Sequence, residues 1–305
     1  MATATLQYNK LKQVTETITP TKAKKILAET NVDNRSMRRT VVERYARDMA
    51  NGNWRLTSDP IKFDADGRLI DGQHRLQACV EAGKSFKTAV AYGVEVIAKE
   101  AMDTGLRRTF ADVLQWRGET SSTALAAAIR MGYRWQNNHV FGAQFGAFSH
   151  AEGLEWYSLN PSIRKTLSLS MRLRAHHKIP PPATSAFLHR INLIDPEQAD
   201  AFIAQIDIGD GLQQKDPVFA LRSWLRGQMA KQAQARLGAD FYLAVMIKTW
   251  NYWAQGQELE IVSFKRGGTF KEKMPQLLDF EGAPVEMTNE LTEPVSIPVP
   301  EQYRS

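Results

Sequence analysis

The sequence predicts an α+β protein in three parts: an N-terminal domain over residues 15–118 with a small mixed sheet, an all-helical domain over 119–275, and a disordered acidic tail over 279–305. Three observations predict it. Short apolar runs broken by Asp-Gly pairs are confined to residues 60–94. Apolar residues recur at helical spacing through most of the stretch from Ser121 to Ala254. Beyond Leu278 that periodicity stops, while acidic residues and prolines accumulate. With 305 residues and 43% hydrophobic side chains, the chain has room for two cores.

Met1 to Val14 is polar and weakly patterned, the pattern of a loose arm. Thr19 before Pro20 is an N-cap followed by a first-turn proline, so Thr21 to Glu29 is expected to be helical, with Ile26 and Leu27 inward. A second helix is expected over Arg38 to Ala50. Its core stripe is Met37, Val41, Tyr45 and Met49, and Arg38, Arg39, Arg44 and Arg47 lie off it on a solvated or phosphate-contacting face. Pro60 to Ile70 reads as two short strands joined by an Asp-Gly turn, and Phe86 to Val94 as a further strand.

Between them stands Leu69-Ile70-Asp71-Gly72-Gln73-His74-Arg75-Leu76-Gln77-Ala78, a short strand that breaks at Asp-Gly and opens a helix ending at Gly83. Such a turn suits an anion. The first amides of a helix have no internal partner, the helix dipole makes that end positive, and Gly72 lets a ligand approach the backbone. His74 and Arg75 add donors for phosphate oxygens, and Asp71 is a candidate for holding a magnesium ion, a water or a hydroxyl.

Strand, hairpin, Asp-Gly-Gln-His-Arg helix and strand, following a helix that ends in Met49-Ala50-Asn51-Gly52-Asn53-Trp54, resemble the ParB and sulfiredoxin superfamily over about Thr19 to Val94. The match is nearest to the Asp-Gly-Gln-His-Arg subset of phage and bacterial genomes, often labelled ParB-like nuclease. The resemblance implies a loop that binds nucleotide phosphates, with Gly72, His74 and Arg75 as phosphate ligands, and Asp71 and Gln73 as the residues nearest the chemistry. Gln73 stands where sulfiredoxins hold a reactive cysteine and ParB proteins a glutamate, which argues against sulfinic-acid repair and against ParB-like hydrolysis. Neither the second phosphate and metal motif of ParB clamps nor their helix-turn-helix is present in the sequence. The implied cofactors are ATP or CTP, with Mg2+.

Asp103-Thr104-Gly105 and the pair Arg107-Arg108 precede a helix expected over Phe110 to Trp116, with Asp103 and Thr104 as candidate caps. The same resemblance makes Arg107 and Arg108 candidates for a second wall of the phosphate site. From Ser121 onward, helices are expected over Leu125–Trp135, Ile163–Arg174, Ala183–Leu193, Pro196–Ile206, Pro217–Leu237 and Asp240–Ala254. Three of them share a start signal, Asn160-Pro161, Asp195-Pro196 and Asp216-Pro217. Phe241 to Trp253 is apolar nearly all round and reads as the central helix. Gly142 to Ser149 reads as a loop, and Ile261 to Lys265 as a strand or an extended segment packed back on the body.

The candidate nucleic-acid strip is Arg164, Lys165, Arg172, Arg174 and Lys178, joined by His176 and His177. It suits a phosphate backbone more than base edges. The closest candidate for a DNA-reading helix pair joins Ala183–Leu193 to Pro196–Ile206, and the second helix carries Glu197 and Asp200 and no basic residue. The formal charge of +6 becomes about +11 over residues 1–278, because the tail holds six acidic residues against one arginine. A nucleic-acid partner follows naturally from that excess, and plain solubility is the competing reading.

No run reaches the roughly 18 apolar residues of a membrane span. Cys79 is the single cysteine, so no internal disulfide and no zinc-thiolate site is possible, and the six histidines show no metal-ligand spacing. The reading is a cytoplasmic protein without a transition metal. The leading functional expectation is an NTPase or phosphotransferase acting on or beside DNA. A non-enzymatic nucleotide- or DNA-binding module comes second, and a nuclease third, since only Asp64, Asp66 and Asp71 cluster near the motif.

Overall fold

The computed structural model describes residues 11–32, 34, 36–94, 109–140, 148–231, 237–265 and 272–298. Among these the chain is an α+β fold with eleven α-helices and a mixed sheet of four strands. It divides into two compact units, residues 1–107 with 143–151, and residues 108–142 with 152–305. No helix among the described residues is long and apolar enough to cross a membrane.

The first unit is built on strands β1 (Lys12–Ile18), β2 (Ile61–Phe63), β3 (Leu69–Asp71) and β4 (Phe86–Tyr92), in the order β1-β4-β2-β3. β1 runs antiparallel to β4, β2 is parallel to β4, and β3 is antiparallel to β2. β1 corrects the expected loose arm. Lys12 to Val14 pair with Tyr92 to Val90, because an otherwise bare edge of β4 recruits whatever extended chain is near, regardless of its weak pattern. Met1 to Lys10 lie outside the described residues.

Helices α1 (Pro20–Thr30) and α2 (Arg39–Ala50) both pack on α3 (Gln73–Ala82). Thr19 caps α1 by accepting from the Lys22 amide at 3.1 Å, as its place before Pro20 predicts. The stripe of α2 is rotated from the expected one. Val42 and Met49 are buried, Tyr45 and Ala46 pack beside them, and Met37 precedes the helix, exposed. In the hairpin, the buried Asp64 carboxylate accepts from the Asp66 and Arg68 amides at 2.9 and 2.7 Å, so this acid is spent on the turn. Cys79 is fully buried on α3, and burial pushes its thiol up to about 11.

The second unit contains α4 (Phe110–Trp116), α5 (Ser122–Gln136), most of α6 (His150–Leu159), a 3-10 helix (Pro161–Thr166), α7 (Leu167–His177), α8 (Pro181–Ile194), α9 (Pro196–Asp207), α10 (Pro217–Met229) and α11 (Ala239–Ala254). α4 is capped by Thr109, in a reciprocal box with Asp112; the expected caps Asp103 and Thr104 lie outside the described residues. Of the three expected proline starts only Asp195 caps its helix with its side chain, accepting from the Glu197 and Gln198 amides. The expected helix from Ile163 breaks into a 3-10 turn and α7 at Leu167. α6 went unread in the sequence. It buries Trp156 against Gly132, where a Cβ would stand 2.5 Å from the indole. α11 is central as expected, with Tyr242 to Ile247 and Trp250 buried, and Trp250 meets Phe187 and Phe202 edge-on.

Ile261 to Lys265 is no strand, but Val262 and Phe264 alternate inward, which is the packed-back reading. The tail overturns the expectation of disorder through residue 298. Asn289 Oδ1 accepts from Gln136 Nε2 and Asn160 Nδ2, both at 2.9 Å, and Glu290 Oε2 accepts from the Ser162 amide at 2.9 Å. The Leu291 and Val295 amides donate to the carbonyls of Leu159 and Ser158. Arg190, 3% exposed, donates to the Thr288 carbonyl. A composition-based reading misses this because the attachment is made by hydrogen bonds to buried polar groups, which leave no apolar period.

Candidate functional site

Asp71, Gly72, Gln73, His74 and Arg75 stand together where β3 turns into α3. Gly72 is the N-cap at φ +113°, a backbone that L side chains rarely adopt, and a Cβ there would meet Ile61 Cγ1 at 3.0 Å. The glycine therefore serves close packing of the turn on β2 as well as conformation. Asp71 pairs across the sheet with Lys62, whose Nζ lies 3.3 Å from Asp71 Oδ2. Arg75 Nη2 approaches the same oxygen at 3.4 Å.

Arg75, read from the sequence as a donor to phosphate oxygens, is turned inward. It is 8% exposed, and its guanidinium donates to the main-chain carbonyls of Asp59 at 2.6 Å and Pro60 at 2.8 Å. With the Asp59 carboxylate at 3.6 Å it completes a group of two cations and two anions, Lys62, Arg75, Asp59 and Asp71. Asp59 is largely exposed and the Asp71 side chain is 35% exposed, so the open side of this group is its carboxylates.

Gln73 is 6% exposed, and its Oε1 accepts from Asn31 Nδ2 at 3.4 Å. Asn34 Nδ2 donates to Asn31 Oδ1 at 2.8 Å and to the Leu69 carbonyl at 2.6 Å. His74 is half-buried, and its Nε2 accepts from the Arg38 amide at 3.0 Å. The segment between α1 and α2 is thus laced to the motif at three points. Sequence reasoning missed Asn31, Asn34, Asp59 and Lys62, and read Arg38 only as part of a solvated or phosphate-contacting arginine face, not as a main-chain partner of His74. Lys62 carried no signal either: the register that runs from the Asp-Gly turn through Phe63 and Leu69 would set it opposite Ile70, and an irregularity between Lys62 and Phe63 brings it opposite Asp71. A cavity of the unit, about 330 Å3, is lined by Met49, Trp54, Leu56, Phe86 and Lys87 and includes none of the motif residues.

Arg107 and Arg108 lie outside the described residues. Arg164, Lys165, Arg172, Arg174 and Lys178 belong to the helical unit and are all exposed. Arg164 Nε is 3.2 Å from the buried Glu119, and Arg172 Nε is 2.9 Å from Asp207, so two of the five are offset by carboxylates. Asp207 is also 2.8 Å from His176 Nδ1 and 3.6 Å from His177 Nε2. Burial would raise the Asp207 carboxyl, but the His176 hydrogen bond and the Arg172 charge outweigh it and hold it low. His177 is lowered, chiefly by burial. His176, His177 and Asp207 are the described His/Asp group with ligand atoms within 4.8 Å of one another, a juxtaposition no sequence spacing indicates. Arg172 on the carboxylate and Arg222 beside His177 set a positive field that opposes a divalent ion there.

No protein-family model, curated protein or solved structure matches this chain.

Proposed function

We propose that the first unit binds a nucleotide through the turn at Asp71–Arg75 and acts as an NTPase or phosphotransferase, with a fold of the ParB and sulfiredoxin kind, on or beside DNA. The observation that carries this reading is the convergence of the α3 N-terminus, His74, Lys62 and a part-exposed Asp71 at one turn. Helix amides, His74 and Lys62 are suited to phosphate oxygens, and Lys62 replaces Arg75 as the more available cation. Asp71, part-exposed, is suited to orient an acceptor hydroxyl; to ligate Mg2+ it would have to use Oδ1 or give up Lys62 and Arg75 on Oδ2, whose charges oppose the ion. Phosphoryl transfer needs mainly this kind of positioning and charge neutralisation. ATP and CTP are both candidates. Exposed Arg174 and Lys178 support a DNA partner held by its backbone.

A binding module without turnover is the second reading. It is favoured by Arg75, whose donors are already committed to Asp59, Pro60 and Asp71. Nuclease action has the least support, because Asp64 is consumed by its turn.

The deciding experiment measures phosphate release from ATP and CTP with Mg2+, with and without DNA, beside nucleotide-dependent thermal shift. Turnover lost in Asp71→Ala with the shift retained supports the enzyme. A shift without turnover in the wild type supports the module, and no shift with any nucleotide overturns both.

A further inference from the structure

The helical unit holds a cavity of about 600 Å3 where the start of α5 meets the 3-10 helix and the start of α7. Its polar lining is Thr120, Ser121, Ser168, Arg164 and Lys165, its apolar lining includes Leu167 and Met171, and no carboxylate is among its lining residues. We propose that this cavity binds a small phosphate monoester, with the phosphoryl group between Lys165, Arg164 and the three hydroxyls and an apolar or planar group against Leu167 and Met171.

Four features of the site support this. Arg164 is drawn from behind by charge: its Nε lies 3.2 Å from Glu119 Oε2, which accepts no hydrogen bond, and Glu119 is 8% exposed with Oε1 accepting from Tyr157 at 2.9 Å. An ion pair on one edge leaves the planar guanidinium's other donors to a ligand. Glu119 offsets that charge, so Lys165, exposed and paired with no carboxylate among the described residues, sets the positive sign. Ser121 stands at φ +53°, a left-handed backbone unusual for serine, and its side chain makes no capping bond, so the positive end of α5 is left uncompensated by its N-cap. The concave shape and mixed lining fit a compact ligand with one charged end, whereas a nucleic-acid backbone needs an extended basic face. The site lies in the other unit from the Asp71 turn and stands independently of it.

The test uses the full chain with methyl-labelled methionine, titrated with phenyl phosphate, and follows the Met171 methyl resonance, assigned by Met171→Leu. The expected result is a saturable shift that persists in His74→Ala and is weakened about tenfold or more in Lys165→Ala, the loss of one charge-assisted contact. No shift at millimolar phenyl phosphate, an equal affinity in Lys165→Ala, or an equal shift with phenol overturns the proposal. A shift produced only by a single-stranded oligonucleotide also overturns it, assigning the cavity to a nucleic-acid backbone.

Discussion

Arg75 Nη1 donates to the Asp59 carbonyl at 2.6 Å, which ties the first turn of α3 to the chain that enters β2. With the bond from Nη2 to the Pro60 carbonyl at 2.8 Å, the guanidinium grips two consecutive peptide groups. A side chain that the motif suggests as a ligand is therefore also a brace for the turn that would present the ligand site.

Arg75→Lys is expected to destabilise the first unit by about 2–3 kcal/mol, because one ammonium cannot satisfy two carbonyls and Asp71 in the same fork. Urea unfolding followed through Trp54, the tryptophan of that unit, measures it. Stability equal to wild type would show that Arg75 is held loosely enough to serve a ligand instead.

Gly72→Ala is expected to cost about 1–3 kcal/mol and to leave α3 helical. The substitution combines a positive φ with a contact to Ile61 that must give by several tenths of an ångström. Adding Ile61→Val, which removes the methyl behind the close Cγ1 contact, is expected to recover part of the loss. An Ala variant as stable as the wild type would refute the drawn geometry.

Acid is expected to weaken the helical unit through His189. Burial first, and Arg190 second, lower its folded pKa from 6.5 to about 3. Between those values the unfolded chain binds a proton that the folded one does not, so stability is complete above 6.5 and falls as pH drops toward 3. The slope reaches at most about 1.4 kcal/mol per pH unit. His189→Gln should flatten it in denaturant titrations at several pH values, at a fixed cost from the bonds to Ser162 and Asn160.

Truncation after Leu278 is expected to lower the melting temperature of the helical unit. The removed residues satisfy Asn160, Gln136, Arg190 and Ser162, and leaving buried donors bare costs about 1–3 kcal/mol each where water cannot replace the partner. Calorimetry of the truncated chain checks it, and an unchanged melting temperature would restore the reading of a free acidic tail.

What the sequence determines by itself is local. Thr19-Pro20, Asp195-Pro196, the Asp-Gly hairpin, Gly83 as a helix stop and the apolar run of α11 are each specified within a few residues, because caps, turns and periodicity act over one or two turns of chain. The position of Asp71, Gly72 and His74 at a helix start is legible for the same reason. The tertiary structure alone decides which donors and acceptors meet. It pairs Lys62 with Asp71, sends Arg75 inward, lays Asn31 and Asn34 on the motif, recruits Lys12–Ile18 to the sheet and docks Asn289 and Glu290. These contacts span from 9 to 153 residues of sequence. A buried polar group takes whatever partner the packed chain brings within reach, and no periodicity in the sequence records that choice.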